Sequence, residues 1–254
     1  MHLLDRLIWA AARLLPAVDP APWQAPLQGG PTPIDGPDPD AGLLPDLAAL
    51  GVTEADPAVR SFFAHTARFE LPVEVAWRGP VPRALAWLWA RLFARRWGQL
   101  ELPTKSGAAL TNDVFPDRSG AWWARRYVGT RRALYRARFD VVPVAGERSP
   151  RVRVQFPVPG GAWVVLFGAR GEGVGGVALV EEGRADGLYL VPRSGRPRFV
   201  RVVREAIVVV PADDGVRATH TFVVLGATVL TLTYAVRGAA DGCSPSPTAG
   251  AARR

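Results

Sequence analysis

The sequence contains one cysteine, one lysine and three histidines among its 254 residues, and each scarcity excludes a class of chemistry. A single cysteine, Cys243, cannot form an intramolecular disulfide. The only lysine, Lys105, lacks the upstream glycines of a phosphate-binding P-loop. His2, His65 and His220 have no spacing typical of metal ligands. We therefore expect no metal ion and no cofactor.

Other catalytic signatures are also missing. The glycine-rich stretch at residues 168–176 is followed by a strand-like segment rather than a helix, so it predicts a hairpin connection and not a phosphate site. No nucleophile elbow is present. One acid–base hypothesis stays open, because His220 would pair with a carboxylate such as Glu205 if adjacent strands brought them together. An enzyme is therefore the less favoured class.

Arginine supplies almost all of the positive charge, and its distribution is uneven. The formal net charge is +8, yet eight acids against three arginines leave residues 1–60 at −5, so the rest of the chain carries +13. Such a field attracts anionic lipid, nucleic acid or an acidic partner. The alternative is that the arginines only coat solvated faces.

No segment of the sequence clearly predicts a membrane span. Asp5, Arg6 and Arg13 interrupt the apolar N-terminus, which argues against a secretory signal. The uncharged run at residues 220–236 is seventeen residues long and holds four threonines and four valines, so it favours a strand over a spanning helix. We expect a cytoplasmic protein, with contact to the inner face of the membrane as an extension of that expectation.

The chain divides into four segments. Residues 1–15 have apolar side chains at helical spacing and predict an amphipathic helix, which contacts either a membrane surface or the protein's own core. Residues 16–45 contain nine prolines and predict a disordered linker. Residues 46–237 form the β-rich globular domain, and residues 238–254 are predicted to be a disordered tail.

Two further helices are predicted. Asp56 as the N-cap and Pro57 at the first helical position begin a short helix. Pro82 opens a second helix, which ends at Gly98. The apolar stripe of this second helix predicts that it covers a sheet, and its members are Leu85, Leu88, Trp89, Leu92 and Phe93.

Most of the chain beyond residue 100 alternates between apolar and polar residues, as strands do. Short strands separated by turn signals, with no helix between them, predict an antiparallel meander. In one of them Tyr135 and Phe139 alternate with Arg136 and Arg138. A platform for single-stranded nucleic acid needs rings and cations on the same face. We therefore expect no nucleic-acid partner, but an apolar inner face and an arginine-rich outer face.

Five features follow one another in a distinctive order: "FFAHTARFELPVEVAWRG", a helix rich in arginine and tryptophan, "FPDRSGAWWARRYVG", "RARFDV" and "GVRATHTFVVLGATVLTLTYAVR". This order resembles an uncharacterised bacterial domain of unknown function. That domain occurs alone, or fused to membrane proteins of the YndJ type or to nucleotide-cofactor reductase-like domains. The similarity spans about residues 56–237. It implies no activity, so it assigns no functional residues.

These patterns predict an α+β fold that is mostly antiparallel β. We expect a strongly curved sheet or partly closed barrel of eight to ten strands with one or two covering helices, and a barrel of that size holds either packed side chains or one small ligand. The favoured function is non-catalytic binding of a hydrophobic or amphipathic small molecule, such as a lipid, in a β-rich cavity near a membrane surface. The alternative is an arginine-rich module that docks onto an acidic or membrane partner.

The predicted ligand site combines aromatic rings inside the sheet with arginines near its mouth for an anionic head group. The predicted lining residues are Tyr135, Phe139, Phe156, Phe167, Tyr189, Phe222 and Tyr234. The predicted head-group residues are Arg125, Arg126 and Arg132.

Overall fold

A computed structural model describes residues 3–18, 21–23, 36–108, 110–117, 120–130 and 132–238. The predicted tail beyond residue 238 lies outside the described residues. So do residues 19–20 and 24–35 of the predicted linker.

Three helices occur in the described chain: α1 (Leu3–Ala12), α2 (Pro57–Ala64) and α3 (Pro80–Trp89). The last one continues through a π-helical turn (Ala90–Ala94) into a final turn (Arg95–Trp97), and we call the whole of it the third helix. The start of α2 is as predicted, because the Asp56 carboxylate accepts the Ala58 backbone N–H at 2.8 Å.

Thirteen strands form a single antiparallel sheet that curls into a half-barrel. They are β1 (Phe69–Glu70), β2 (Val73–Trp77), β3 (Asp113–Asp117), β4 (Gly120–Arg126), β5 (Ala133–Val142), β6 (Arg151–Val158), β7 (Gly161–Glu172), β8 (Gly176–Val180), β9 (Gly187–Pro192), β10 (Arg198–Val200), β11 (Val203–Ala212), β12 (Gly215–Val224) and β13 (Ala227–Gly238). The α+β antiparallel prediction is confirmed: the three predicted helices are present, and the described residues form thirteen strands instead of the expected eight to ten.

The sheet follows the order β1-β13-β12-β11-β8-β7-β6-β5-β4-β3 and forks at its longest members. The first half of β7, Gly161–Leu166, pairs with β9, whereas Gly168–Glu172 pairs with β8. Strand β9 in turn pairs with β10, and β2 adds to the free part of β13 beside β1. Strands β8 and β9 therefore pair with different parts of β7, and β9 is not hydrogen-bonded to β11.

One end of the half-barrel is filled by the chain that precedes β1. Leu43, Leu44 and Leu50 are buried with Phe62 and Phe63 of α2 in the main hydrophobic cluster. Burying a leucine contributes about 1.5–3 kcal/mol, enough to fix this segment on the sheet. The part of the predicted linker that the structure describes from residue 36 therefore packs on the domain, although its prolines and glycines suggested disorder.

The two edges of the sheet meet near β1 through side chains instead of strand pairing. The Asn112 amide, just before β3, donates to the carbonyl of Thr66 at 2.6 Å and to that of Phe69 at 2.9 Å. Its oxygen accepts a hydrogen bond from the indole of Trp123. One asparagine thereby ties β4 to the chain entering β1. We call this junction the seam.

Arg125 of β4 completes the seam from inside. Its Nη2 donates to the carbonyl of Leu71 at 2.9 Å, between β1 and β2. The guanidinium carbon lies 5.6 Å from the centre of the Trp123 ring and 5.3 Å from that of Tyr234 on β13. Because β4 and β13 are far apart in the strand order, these contacts cross the interior of the half-barrel.

The outer face of the sheet differs from the solvated arginine face that the sequence predicts. Arg138 is 1% exposed and binds the carboxylates of Asp140 and, at 3.0 Å, Asp117. Arg153 binds Asp140 at 2.6 Å from the neighbouring strand. The expectation is right for Arg136, which is exposed, and wrong for Arg138, because acids on adjacent strands neutralise the cation and permit its burial.

The third helix contacts the domain through alanines and aromatic rings. Its fully buried residues are Ala86, Ala90 and Ala94. Trp89 stacks on Phe93 and Trp163, with ring centroids 4.8 and 5.4 Å away. The predicted stripe also includes leucines that are exposed instead: Leu85, Leu88 and Leu92. The sheet-covering role is therefore carried by the small side chains, which allow close approach of the helix backbone.

Helix α1 packs on the domain through a polar anchor. The buried Asp5 carboxylate pairs with Arg96 and accepts the Trp97 indole N–H at 2.9 Å, which joins α1 to the end of the third helix. Trp9 donates its indole N–H to the Pro159 carbonyl at 2.8 Å. Helix α1 therefore packs on the protein's own core with one side. Its opposite side exposes leucines, and contact of that side with a membrane surface stays a prediction.

We expect Asn112→Ala to destabilise the fold by about 2–4 kcal/mol, because it leaves two carbonyls and one indole N–H at the seam without partners. Urea unfolding followed by tryptophan fluorescence measures this change. Arg126→Ala is the control, since Arg126 is exposed and its pair with Asp113 contributes less than about 1 kcal/mol. Equal midpoints for the two variants would contradict the importance of the seam.

Candidate functional site

The inner face of the half-barrel is sealed at one end and accessible at the other. Near α2 its side chains are buried, as in Phe139, Val154, Phe167, Val209 and Ala218. Farther along the same strands they are only half-buried, as in Tyr135, Phe156, Trp163, Ile207 and His220. We call the second region the open end. Side chains of the inner face are available to a ligand only there.

Seven of the ten predicted binding residues lie on the inner face, and five of these are grouped around Arg125 and Tyr135. They are Arg125, Tyr135, Phe139, Phe156 and Tyr234. The ring of Trp123 joins them, 5.5 Å from Tyr135 and 5.8 Å from Phe139. Burial raises the pKa of both tyrosines, so they stay protonated and can donate hydrogen bonds.

Arg125 is fully buried in this aromatic cluster and does not lie at the mouth, where the sequence prediction placed it. Among the described residues, its Nε and Nη1 have no hydrogen-bond partner. Its contacts with Leu71 and Tyr234 belong to the seam. We therefore assign Arg125 to closure of the sheet and not to a head group.

The other predicted lining residues are dispersed. Phe167 is buried at the sealed end. Tyr189 lies in a separate cluster on the outer face, 5.2 Å from the ring of Trp23, and donates its hydroxyl to the Ala185 carbonyl at 2.7 Å. Phe222 lies at the open end, where its ring stacks at 4.1 Å on His220.

The two remaining arginines lie outside the half-barrel. Arg126 pairs with Asp113 at 2.6 Å. Arg132 covers the ring of Tyr127 at 4.2 Å and pairs at 3.1 Å with Glu101. Burial raises the pKa of Glu101, against the pull of the arginines beside it. Neither arginine packs against the aromatic cluster of the inner face, and a role for them at a head group stays a prediction.

The conditional pairing of His220 with Glu205 is confirmed. His220 Nε2 lies 3.0 Å from Glu205 Oε2, because the register places His220 opposite Ile207 and makes Glu205 its diagonal neighbour on the same face. Glu181 follows β8 at the fork, and its Oε1 accepts the backbone N–H of Glu205 at 2.9 Å. Burial, with Glu205 adding a smaller repulsion, raises the pKa of Glu181 to about 7.

A groove of about 650 Å³ lies between β2 and the start of the third helix. Indole rings of Trp77 and Trp87 and the cations of Arg83 and Lys105 line it. The remaining lining residues are Gly79, Pro80, Ala84 and Thr104. Trp77 belongs to the same hydrophobic cluster as Phe222, so the groove borders the open end of the inner face.

Two helices of the described chain expose apolar stripes. The first is on and just after α1 and contains Leu3, Leu7 and Leu14. The second is on the third helix and contains Val81, Leu85, Leu88 and Leu92. We call them the leucine stripes. Leu3 is 68% exposed and Leu85 is 61% exposed, which is unusual for side chains that recur at helical spacing.

The sequence contained a signal for the groove that the predicted site did not use. Residues 75–100 hold five arginines and no acid, together with four tryptophans. The helical spacing of the leucines in this segment predicts that they are buried, and that prediction hides the exposed surface beside the groove. Within the described residues, no helix is both long and apolar enough to cross a membrane.

Stability should fall with rising pH in a way that depends on Glu181. Its pKa is raised from 4.5 to about 7, so the native state holds a proton that the unfolded chain has released within this window. The stabilisation is complete below about pH 4.5 and is lost as pH rises through 7. We expect wild-type stability to drop by about 1–3 kcal/mol relative to Glu181→Gln over that window.

Urea unfolding at several pH values measures this difference. Glu182→Gln is the matched control, because Glu182 is the exposed neighbour, and we expect its curve to run parallel to that of the wild type. A constant difference between wild type and Glu181→Gln across the window would contradict the assignment.

Comparison with known proteins gives no information about function. The chain matches no protein-family model, no curated protein and no solved structure. The resemblance to a bacterial domain therefore stays an expectation from the sequence, and the groove, the leucine stripes and the Glu205–His220 pair are the features from which a function must be argued.

Proposed function

We propose that the protein binds an amphipathic molecule with an anionic head group, a lipid, at a membrane surface. The observation that carries the proposal is the third helix, which exposes one leucine stripe beside a groove that holds two indole rings and two cations. The acyl part would contact the indoles and the stripe. The head group would bind Arg83 and Lys105.

Charge complementarity supports a lipid surface over a neutral apolar partner. The third helix carries no acid; its Arg95 and Arg96 face the carboxylates of Glu101 and Asp5, whereas Arg83 and Arg91 have no carboxylate partner among the described residues. Arg6 of α1 and Arg13, just after this helix, are also exposed. Helices that combine leucines with arginines lie in the interface of anionic bilayers, where each cation near the surface adds about 1 kcal/mol.

The magnitudes favour reversible attachment. Inserting a leucine side chain contributes up to about 1.5–3 kcal/mol, and partial insertion contributes less. Two or three inserted leucines with several arginines would give micromolar affinity, which is about 8 kcal/mol. Contact through one stripe alone would be weak. The link from Asp5 to Arg96 and Trp97 keeps the two helices together and supports the use of both stripes.

The proposal moves the ligand from the interior of the sheet to the groove. The sealed end is occupied by residues that precede β1, and Arg125 is committed to the seam. Of the predicted lining residues, Phe222 and Tyr234 belong to the same cluster as Trp77 of the groove. They are the ones that a bound acyl chain would approach.

Replacing Leu85 and Leu88 with serine should weaken binding to vesicles of phosphatidylglycerol and phosphatidylcholine by about 10-fold to 100-fold. Both side chains are exposed, so the fold should be unaffected. Co-sedimentation with vesicles measures the change. Val174→Ser is the control, since Val174 is 96% exposed but lies in the β7–β8 hairpin. Equal loss in the two variants would contradict a specific role for the stripe.

Head-group binding should depend on the cations of the groove. We expect Arg83→Gln with Lys105→Gln to reduce the affinity for soluble dihexanoyl phosphatidic acid at least 10-fold, because two charge-assisted contacts are lost. Isothermal titration calorimetry measures the affinity. Arg217→Gln, on the exposed outer face of β12, should bind as the wild type does. Unchanged binding in the double variant would remove the groove from the proposal.

A further inference from the structure

Glu205 and His220 form an acid–base pair at the open end, beside apolar side chains and the carboxyl group of Glu181. The carboxylate and the imidazole are 3.0 Å apart, and their side chains are 14% and 19% exposed. Phe222 stacks on the imidazole at 4.1 Å, and Ile207 and Leu232 lie directly opposite His220 on the adjoining strands. The pair is therefore partly desolvated yet accessible, the condition under which acid–base groups are effective.

The hydrogen bond leaves one imidazole nitrogen available. Glu205 contacts Nε2, and among the described residues no hydrogen bond involves Nδ1. Nδ1 is also absent from the buried polar atoms that lack a partner, so it is open to a bound molecule. A carboxylate that orients one ring nitrogen and stabilises the imidazolium makes the other nitrogen a competent base.

A hydrogen-bond donor is placed on the same face. Tyr234 is two residues beyond Leu232, the register partner of His220, which makes it a diagonal neighbour of the imidazole. Such neighbours are about 7–8 Å apart at the backbone, a distance that a carbonyl compound can span. Its phenol is held in the protonated form by burial and can therefore donate to a developing oxyanion.

We infer that Glu205 and His220 are the acid–base centre of a proton-transfer activity on an apolar carbonyl compound. His220 Nδ1 removes a proton from the carbon next to the carbonyl, and the C–H electron pair forms an enolate whose oxygen accepts the Tyr234 hydrogen bond. Glu205 stabilises the imidazolium. The same proton, or one exchanged with water, returns to carbon, so no oxidant, reductant or co-substrate is consumed.

The substrate class follows from the surroundings of the pair. Phe222, Ile207 and Leu232 offer only apolar contact, so the reacting group must belong to a largely hydrocarbon molecule. The one cation on β11 near this region, Arg204, is exposed, and Glu181 is a further carboxyl beside the pair. A strongly anionic reacting group is therefore disfavoured, and a medium-chain ketone or aldehyde fits best.

The test is hydrogen–deuterium exchange at the carbons next to the carbonyl of 2-decanone, followed by NMR in D₂O with the full chain. We expect the wild type to exchange at least 10-fold faster than His220→Gln, and Glu205→Gln to lose a similar factor. His65→Gln should exchange as the wild type does, because His65 lies near α2, away from the open end. Equal rates for wild type and His220→Gln would overturn the inference.

Chemical rescue separates catalysis from a structural role. In His220→Ala, checked for folding by circular dichroism, added imidazole should restore exchange above the rate of imidazole alone, and Tyr234→Phe should lower the rescued rate. A merely structural pair would give no rescue, and that result would overturn the inference. The inference does not rest on the lipid groove, because 2-decanone carries no head group and loss of vesicle binding would leave its exchange unchanged.

Discussion

The buried guanidinium of Arg125 is the constraint on which the rest of the structure depends. A cation enclosed without a carboxylate costs several kcal/mol. Here the Leu71 carbonyl and the ring faces of Trp123 and Tyr234 offset that cost. Because these partners come from β4, β13 and the β1–β2 connection, they surround the guanidinium only when the curled sheet closes on itself. In a flat sheet the guanidinium would be exposed to water and would lose its contacts with Leu71 and Tyr234.

Closure at the seam makes the two ends of the half-barrel unequal. One end receives α2 and the leucines before it, which seal the inner face. The other end is bordered by the third helix, whose alanine row brings its backbone close to the domain. The small side chains turn Leu85 and Leu88 outward and leave the groove beside Trp77. The groove and the exposed leucines therefore lie at the end of the half-barrel that α2 and the leucines before it do not fill.

Alternation in the sequence was sufficient to predict the sheet and the orientation of Tyr135 and Phe139, because period two has no other solution in a strand. It underestimated the number of strands, since members such as β1 and β10 have two or three residues and show no period. Alternation also gave the wrong burial for charged side chains that pair with an opposite charge on a neighbouring strand. Arg138 is buried because Asp140 and Asp117 accept it, which a single strand does not reveal.

Helix faces were hardest to predict for a related reason. A helix that has leucines on one side and alanines on another has two faces that can pack on a domain. Hydrophobicity alone predicts that the leucine face is buried. In the structure the alanine face packs on the domain. The small side chains let the helix backbone lie close to the sheet, where Trp89 stacks on Trp163. The sequence did allow the pairing of Glu205 with His220, whose confirmation needed only the register of β11 and β12.

The position of the Glu205–His220 pair relative to the groove unites the two proposals. Trp77 lines the groove and shares a cluster with Phe222, and Phe222 stacks on the imidazole of His220. A hydrocarbon compound that left a bilayer along the third helix would therefore meet apolar contacts from the groove to the base. If lipid and carbonyl compound enter by the same route, as the two proposals require, molecules too insoluble to diffuse through water would reach the imidazole through apolar contacts alone.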